Sequence, residues 1–197
     1  LGTLDLPDRN PFDPGSECRA IAERFGRTMG AGHAADPGIE PGNLIVLLPY
    51  ALAEAFELEG GLESARAMAL GNAFGAAHFL QQDRWLDGDE STTPESARLS
   101  DTTFLQFIGQ YARLFGPDSA FWGHLERYLD EYFTSLEWET GTLFPYGAAA
   151  VAEGQLAETL TKLGRKMSPL KACAAGTTLL AGKPDALARA ERMVDCY

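Results

Sequence analysis

The run from Leu62 to about Trp85 is the feature that most restricts what this chain can fold into. It contains no proline and no strand-type alternation, and its apolar and small residues recur at helical steps, which predicts one long helix. Positions 69, 72, 76, 79, 83 and 87 fall on a single stripe by steps of three and four residues. Upstream the stripe reads Ala69, Asn72, Ala76, Phe79, the composition of a surface packed against other helices. It then delivers two carboxylates a turn apart, Asp83 and Asp87.

The rest of the chain follows the same plan. Residues Leu1 to Gly15, with Pro7, Pro11 and Pro14, read as an irregular lead-in, and Ser16 as the N-cap of a helix reaching about Gly30. After a loop over Gly30–Gly42, helical patterns occupy Asn43–Leu58, Leu62–Trp85, Ser100–Phe115, Asp118–Glu139, Gly147–Leu163, Pro169–Ala181 and Ala186–Tyr197, with Gly88–Leu99 a polar loop. Nearly every break carries Gly or Pro, and no segment alternates as a strand does. The expectation is an all-α, single-domain bundle of about eight helices over 16–197.

Composition removes several function classes. With 28 acidic and 16 basic residues the formal net charge is −12, the opposite of what phosphate backbones select, so no nucleic acid partner is expected. Cys18, Cys173 and Cys196 are widely spaced and form no CxxC pair, which points away from a zinc site or disulfide framework and toward a reducing cytoplasm. The longest apolar stretch, Leu44 to Phe56, carries Pro49 and Glu54 and is too short to span a membrane. No basic-then-apolar leader is seen at the N-terminus, and a cytoplasmic protein is expected.

Two like charges on one helical face repel by a few tenths of a kcal/mol, and the macrodipole disfavours acids in a last helical turn by roughly 0.3–1 kcal/mol. A divalent cation reverses both penalties, and magnesium takes carboxylate and phosphate oxygens. A surface carboxylate pair beside Arg84 is the plain alternative. A second cluster, Lys162, Arg165, Lys166 and Lys171, surrounds Ser168-Pro169, which reads as an N-cap followed by the first helical position. Cations before a helix N-terminus make an anion site, and in an acidic chain this cluster stands out. A metal motif and an anion site together describe a metal-bridged polyanion, for which diphosphate fits best.

These residues resemble the class I isoprenoid synthases, the superfamily of trans-prenyltransferases and terpene cyclases. The helix Asn72–Asp89 is similar to that family's first aspartate-rich helix, Asp-Asp-x-x-Asp, with Asp83 and Asp87 at the first and last positions and Arg84 where the second Asp would stand. The segment Gly164–Gly176 is similar to the basic junction where a Lys contacts diphosphate. The resemblance implies Mg2+ held by Asp83 and Asp87, diphosphate contacts from Arg165, Lys166 and Lys171, and Asn72 and Phe79 facing the substrate. The implied reaction is ionisation of an allylic prenyl diphosphate, followed by cyclisation to a terpene or by prenyl transfer. The Arg84 departure tilts the expectation away from chain elongation. The family's second acidic motif would fall beyond Tyr197, with Asp195 the last carboxylate before it, so the domain is expected to lack its C-terminal part.

An allylic cation needs an aromatic cavity that excludes water. Phe74, Phe79, Phe104, Phe107, Tyr111, Tyr132 and Phe133 are available, two or three of them for a pocket and the rest for the core. His78 reads as a packing histidine, Asn72 and Gln82 as the polar candidates, and Glu137 and Glu139 as an exposed helix end. Two other functions compete: a non-catalytic relative acting as a binding or regulatory subunit, and an unrelated helical interaction protein. Chain length of the prenyl group, product, and monomer or homodimer state depend on cavity shape and exposed faces.

Overall fold

The computed structural model describes residues 41–143 and 156–195, and all regular structure among them is helical. The lead-in, the helix expected from Ser16, most of the loop after it and the start of the Gly147–Leu163 helix lie outside the described residues. The helices are α1 Pro41–Ala55, α2 Gly61–Leu86, α3 Pro94–Ala112, α4 Phe121–Trp138, α5 Leu156–Gly164, α6 Lys171–Leu180 and α7 Leu187–Asp195. A π-helical turn, Glu139–Leu143, extends α4, and a 3-10 segment, Arg165–Leu170, joins α5 to α6. No helix among the described residues is long and apolar enough to cross a membrane.

Helix α1 tolerates Pro49 in its interior. Proline has no N–H, so the carbonyl of Ile45, four residues back, loses its helical donor. Asn72 of α2 replaces it: its Nδ2 donates to Ile45 O at 3.1 Å. The Asn72 Oδ1 in turn accepts from the Tyr111 hydroxyl of α3 at 2.9 Å. One buried amide thus ties three helices and satisfies every polar group that the proline stranded. Between α1 and α2 the chain turns through Gly60, whose φ of 65° is the left-handed region where a side chain is strained.

Helix α3 begins at Pro94, earlier than the polar loop expected over Gly88–Leu99 allows. Thr93 Oγ1 accepts from Ser96 N at 3.1 Å and Ser96 Oγ accepts from Thr93 N at 3.0 Å, a reciprocal cap with proline at the first helical position. The α2–α3 contact is close because glycines face rings. A Cβ added at Gly71 would lie 2.8 Å from Tyr111 Cε2, and one at Gly75 would lie 3.0 Å from Phe107 Cδ2. Rings of Phe107, Tyr111, Phe121 and Phe115 continue in sequence, with stacked pairs Tyr111–Phe121 at 4.9 Å and Phe115–Phe121 at 4.3 Å.

Helix α6 occupies the middle. Every residue from Lys171 to Thr178 is buried. Small side chains let neighbours from α1, α2, α4 and α7 approach it. Its two threonines spend their hydroxyls on their own helix, Thr177 on Cys173 O at 2.8 Å and Thr178 on Ala174 O at 3.0 Å, so neither brings an unmet polar group into the core.

Candidate functional site

A cavity of about 200 Å³ opens between α1, α2, α3, α4 and the 3-10 segment. Ile45, Phe79, Leu80, Phe107, Met167 and Leu170 give it an apolar wall, and Gly75 and Ala76 keep the α2 side clear. The polar side chains on that wall are Asn72, Asp83, Tyr132 and Lys166. The α2 stripe therefore does run along one wall of a cavity, from Asn72 through Ala76 and Phe79 to Asp83.

Asp83 and Lys166, from the acidic helix and the basic junction, meet at one end. The Lys166 ammonium ion-pairs with Asp83 Oδ1 and donates to Glu139 Oε2 at 2.8 Å. Burial alone would lower the Lys166 pKa, but the hydrogen bonds and charges of Asp83 and Glu139 outweigh it and hold the amine above its ordinary value. Glu139 is only 9% exposed, which corrects the expectation of an exposed helix end; Glu137 is exposed as expected. The buried stripe of α4 continues by helical steps through Leu125, Tyr128, Tyr132 and Ser135 to Glu139, so the signal was present in the spacing.

Asp87 sits just past the end of α2, exposed, with its N–H donating to Asp83 O at 2.8 Å. Its carboxyl is held above the usual range by partial desolvation and by the negative charges of Asp83, Glu139 and Asp89, against the opposing charge of Lys166. Asp87 is not among the residues that line the cavity, where Asp83 is the aspartate of the pair.

The basic junction is built differently from its expectation. Gly164 has helical φ and ψ, so the chain runs on from α5 through the 3-10 turn into α6 with no break at Ser168. Ser168 does not cap a helix; its hydroxyl donates to Glu131 Oε2 at 2.6 Å. The free N–H groups expected of an anion site are therefore not provided there. Arg165 is exposed and is not part of the cavity wall. Lys171 is not among the cavity-lining residues and joins an ionic cluster, 3.3 Å from Glu131 Oε2 and 2.6 Å from Asp195 Oδ1. Lys162 pairs with Glu158 at 2.8 Å and lies 5.1 Å from the centre of the Trp138 ring. Of the expected basic residues, the structure brings only Lys166 to the cavity.

Asn72 lines the cavity while holding Ile45 and Tyr111, so its first role is structural. His78 is buried, with Nδ1 2.9 Å from Ser100 Oγ and 3.0 Å from Ser100 O. Gln82 Nε2 donates to His78 Nε2 at 3.0 Å, which leaves that nitrogen unprotonated. Burial lowers the His78 pKa, in keeping with a neutral packing histidine, although the Ser100 carbonyl and Asp101 pull the other way. Phe79, Phe107 and Tyr132 are the aromatics on the wall, with Phe79 and Tyr132 centroids 4.6 Å apart. Cys173 is buried in α6, and burial pushes its thiol up to about 12, so it is a packing residue and not a nucleophile.

Magnesium chemistry can be tested on these residues. Asp83, Asp87 and Glu139 offer hard oxygen donors and a local excess of negative charge, which suits the ion. Among the described residues no three His, Cys, Asp or Glu side chains are grouped so as to hold a metal ion by themselves. By themselves these side chains do not complete a shell for the ion, and Asp83 is engaged by Lys166. Comparison of the chain with protein-family models, curated proteins and solved structures finds no match.

Proposed function

We propose that the cavity binds the hydrocarbon chain of a short allylic prenyl diphosphate and that the Asp83–Lys166 end receives its diphosphate for magnesium-dependent ionisation. The observation that carries this reading is the meeting of Asp83 and Lys166, distant in sequence, at one end of an aromatic-lined cavity. In this reading Lys166 leaves its two carboxylates and turns its ammonium to the diphosphate, while Asp83 and Asp87 hold the metal. A metal bound there acts as a Lewis acid on the departing group. The chain supplies the remainder: faces of Phe79, Phe107 and Tyr132 that favour a cation, and an apolar wall that keeps water from it. A volume of about 200 Å³ lies below the roughly 300–1,000 Å³ of drug-sized pockets, which favours the shorter prenyl chains.

The test is release of pyrophosphate from geranyl and farnesyl diphosphate by the folded, full-length protein with and without magnesium. Release that stops on chelation, favours the geranyl substrate and falls about a hundredfold or more in Asp83→Asn is the expected result. Absence of release from both substrates in the folded protein sinks the enzyme reading.

A second reading, a non-catalytic binding protein of the same architecture, has one observation in its favour. Lys166 is already neutralised between Asp83 and Glu139, so that end of the cavity presents two carboxylates to one ammonium. A bare diphosphate is repelled there, whereas a neutral or cationic apolar molecule is not. Saturable binding of such a molecule, indifferent to magnesium and without turnover, distinguishes this reading from the first.

A further inference from the structure

Four polar side chains stand on the cavity wall, and three of them are engaged. Asn72 bridges Ile45 and Tyr111, and Asp83 and Lys166 hold each other. Tyr132 is the exception. The residue is 2% exposed, and its hydroxyl, closed off from solvent, has no hydrogen-bond partner among the described residues, so a ligand reaches it only as the Lys166 contact beside it opens. The ring centroids of Phe79 and Phe133 lie 4.6 and 5.3 Å from that of the phenol. Buried hydroxyls in folded proteins are nearly always paired, because an unmade bond at such a site costs as much as losing one.

The surroundings also say what kind of group is missing. Asp83 and Glu139 are the carboxylates close enough to act on Tyr132, and Lys166 occupies both. Burial, then the charges of Asp83 and Glu139, push the phenol well above its ordinary pKa, so it stays a protonated donor at any working pH. A bare anion is disfavoured beside those carboxylates. An uncharged acceptor oxygen is not, and the remainder of the wall is apolar.

We propose that the Tyr132 hydroxyl is the specificity-determining group of this cavity, donating a hydrogen bond to one oxygen carried at the Asp83 end of an otherwise apolar ligand. The ligand class is a small aliphatic alcohol, ether or carbonyl compound, and the ester oxygen of a prenyl diphosphate is one member of it. The inference rests on the cavity being the ligand site, as the reading above does, but needs neither metal nor turnover.

Geraniol and myrcene test it, because both have ten-carbon isoprenoid skeletons and only geraniol carries oxygen. Calorimetric titration of the full-length protein is expected to show geraniol binding about tenfold more tightly than myrcene, the worth of one hydrogen bond to a waiting donor. In Tyr132→Phe, geraniol falls to the level of myrcene while myrcene is unchanged. The same variant melts no lower than the native protein, since it loses a hydroxyl with no partner among the described residues. Equal affinity for the two probes in the native protein, binding of neither, or a parallel loss of both in the variant overturns the proposal. So does a clear fall in Tm of Tyr132→Phe, which would mean that the hydroxyl has an internal partner. Pyrophosphate release is scored separately, so loss of that activity alone leaves the geraniol–myrcene difference standing, and the reverse.

Discussion

Lys166 and Lys171 lie five residues apart in one stretch of chain, and each ammonium is held by two carboxylates. Their settings differ in what lies on the open side. Lys166 lines the cavity, so water can approach it from that side. Lys171 is 7% exposed and lines no cavity, although its partner Asp195 is half exposed. Glu131 accepts from Lys171, from Ser168 at 2.6 Å and from Arg127 at 3.1 Å, while Asp195 closes the cluster from the last turn of α7. Beside it, Arg127 and the Tyr128 hydroxyl both donate to Glu191 of α7 at 2.5 Å. The same ionic chemistry fastens three helical segments in one place and leaves a contact open to the cavity in the other.

Substituting the two lysines in turn breaks the comparison most directly. Lys171→Met strands the Glu131 carboxylate among protein groups, and removing one partner of a buried pair costs 3–5 kcal/mol when burial is complete. Glu131 keeps some solvent contact, so about 2–3 kcal/mol is expected, read as a fall in Tm or in the urea midpoint. Lys166→Met is expected to cost less, about 1–2 kcal/mol, because water entering the cavity can solvate Asp83, while Glu139 stays largely buried. Equal losses in the two variants would mean that the cavity gives the Lys166 cluster no access to solvent.

Asn72 sharpens the contrast from the other end of the cavity. Asn72→Leu leaves Ile45 O and the Tyr111 hydroxyl without partners, at about 2 kcal/mol. Pro49→Ala restores an N–H four residues after Ile45, so in that background the same substitution should cost about 1 kcal/mol less. A double-mutant cycle with no coupling would show that Asn72 does not stand in for the missing donor.

Much of the architecture was legible because its signals are local. Helical periodicity bounded by Gly and Pro placed α1, α2, α4 and α6 to within a few residues, and the α2 stripe carried Asn72, Phe79 and Asp83 to one cavity. The same two-residue signal, a hydroxyl residue before proline, starts a helix at Thr93-Pro94, where a polar loop was expected, and starts none at Ser168-Pro169, where a cap was expected. The difference lies upstream: Gly88 and its neighbours had ended a helix before Thr93, whereas α5 runs through Gly164 into the 3-10 turn, leaving nothing to cap at Ser168. That unbroken path also decides which cation faces the cavity. A 3-10 turn changes the angular step per residue, so Lys166 faces inward and Arg165 outward, which a helix periodicity of 3.6 does not reveal. Glu139 escaped because a carboxylate at a helix end is usually solvated, although it continues the stripe through Tyr132 and Ser135.

The smallest effects are those of pH, and they separate the two lysine clusters by the side of neutrality on which each responds. Burial would raise the Glu131 carboxyl, but the hydrogen bond from Ser168 and the charges of Lys171 and Arg127 bring it below its ordinary value. Its stabilisation is therefore complete above the unfolded pKa of about 4.3 and is lost as pH falls through the lower folded value. His78 acts earlier: its lowered pKa makes the unfolded chain the better proton acceptor below about 6.5, so stability begins to decline there. The Lys166 amine, raised in the folded state, contributes fully below its unfolded pKa of about 10.4 and is lost only as pH rises through the folded value. Urea midpoints measured from acid to alkaline pH should thus show the lower acid step shrinking in Lys171→Met, the upper one disappearing in His78→Asn, and the alkaline decline flattening in Lys166→Met. An acid limb unaltered by Lys171→Met would mean that Glu131 does not depend on that lysine, and the distinction between a fastening cluster and one open to the cavity would fail at its structural end.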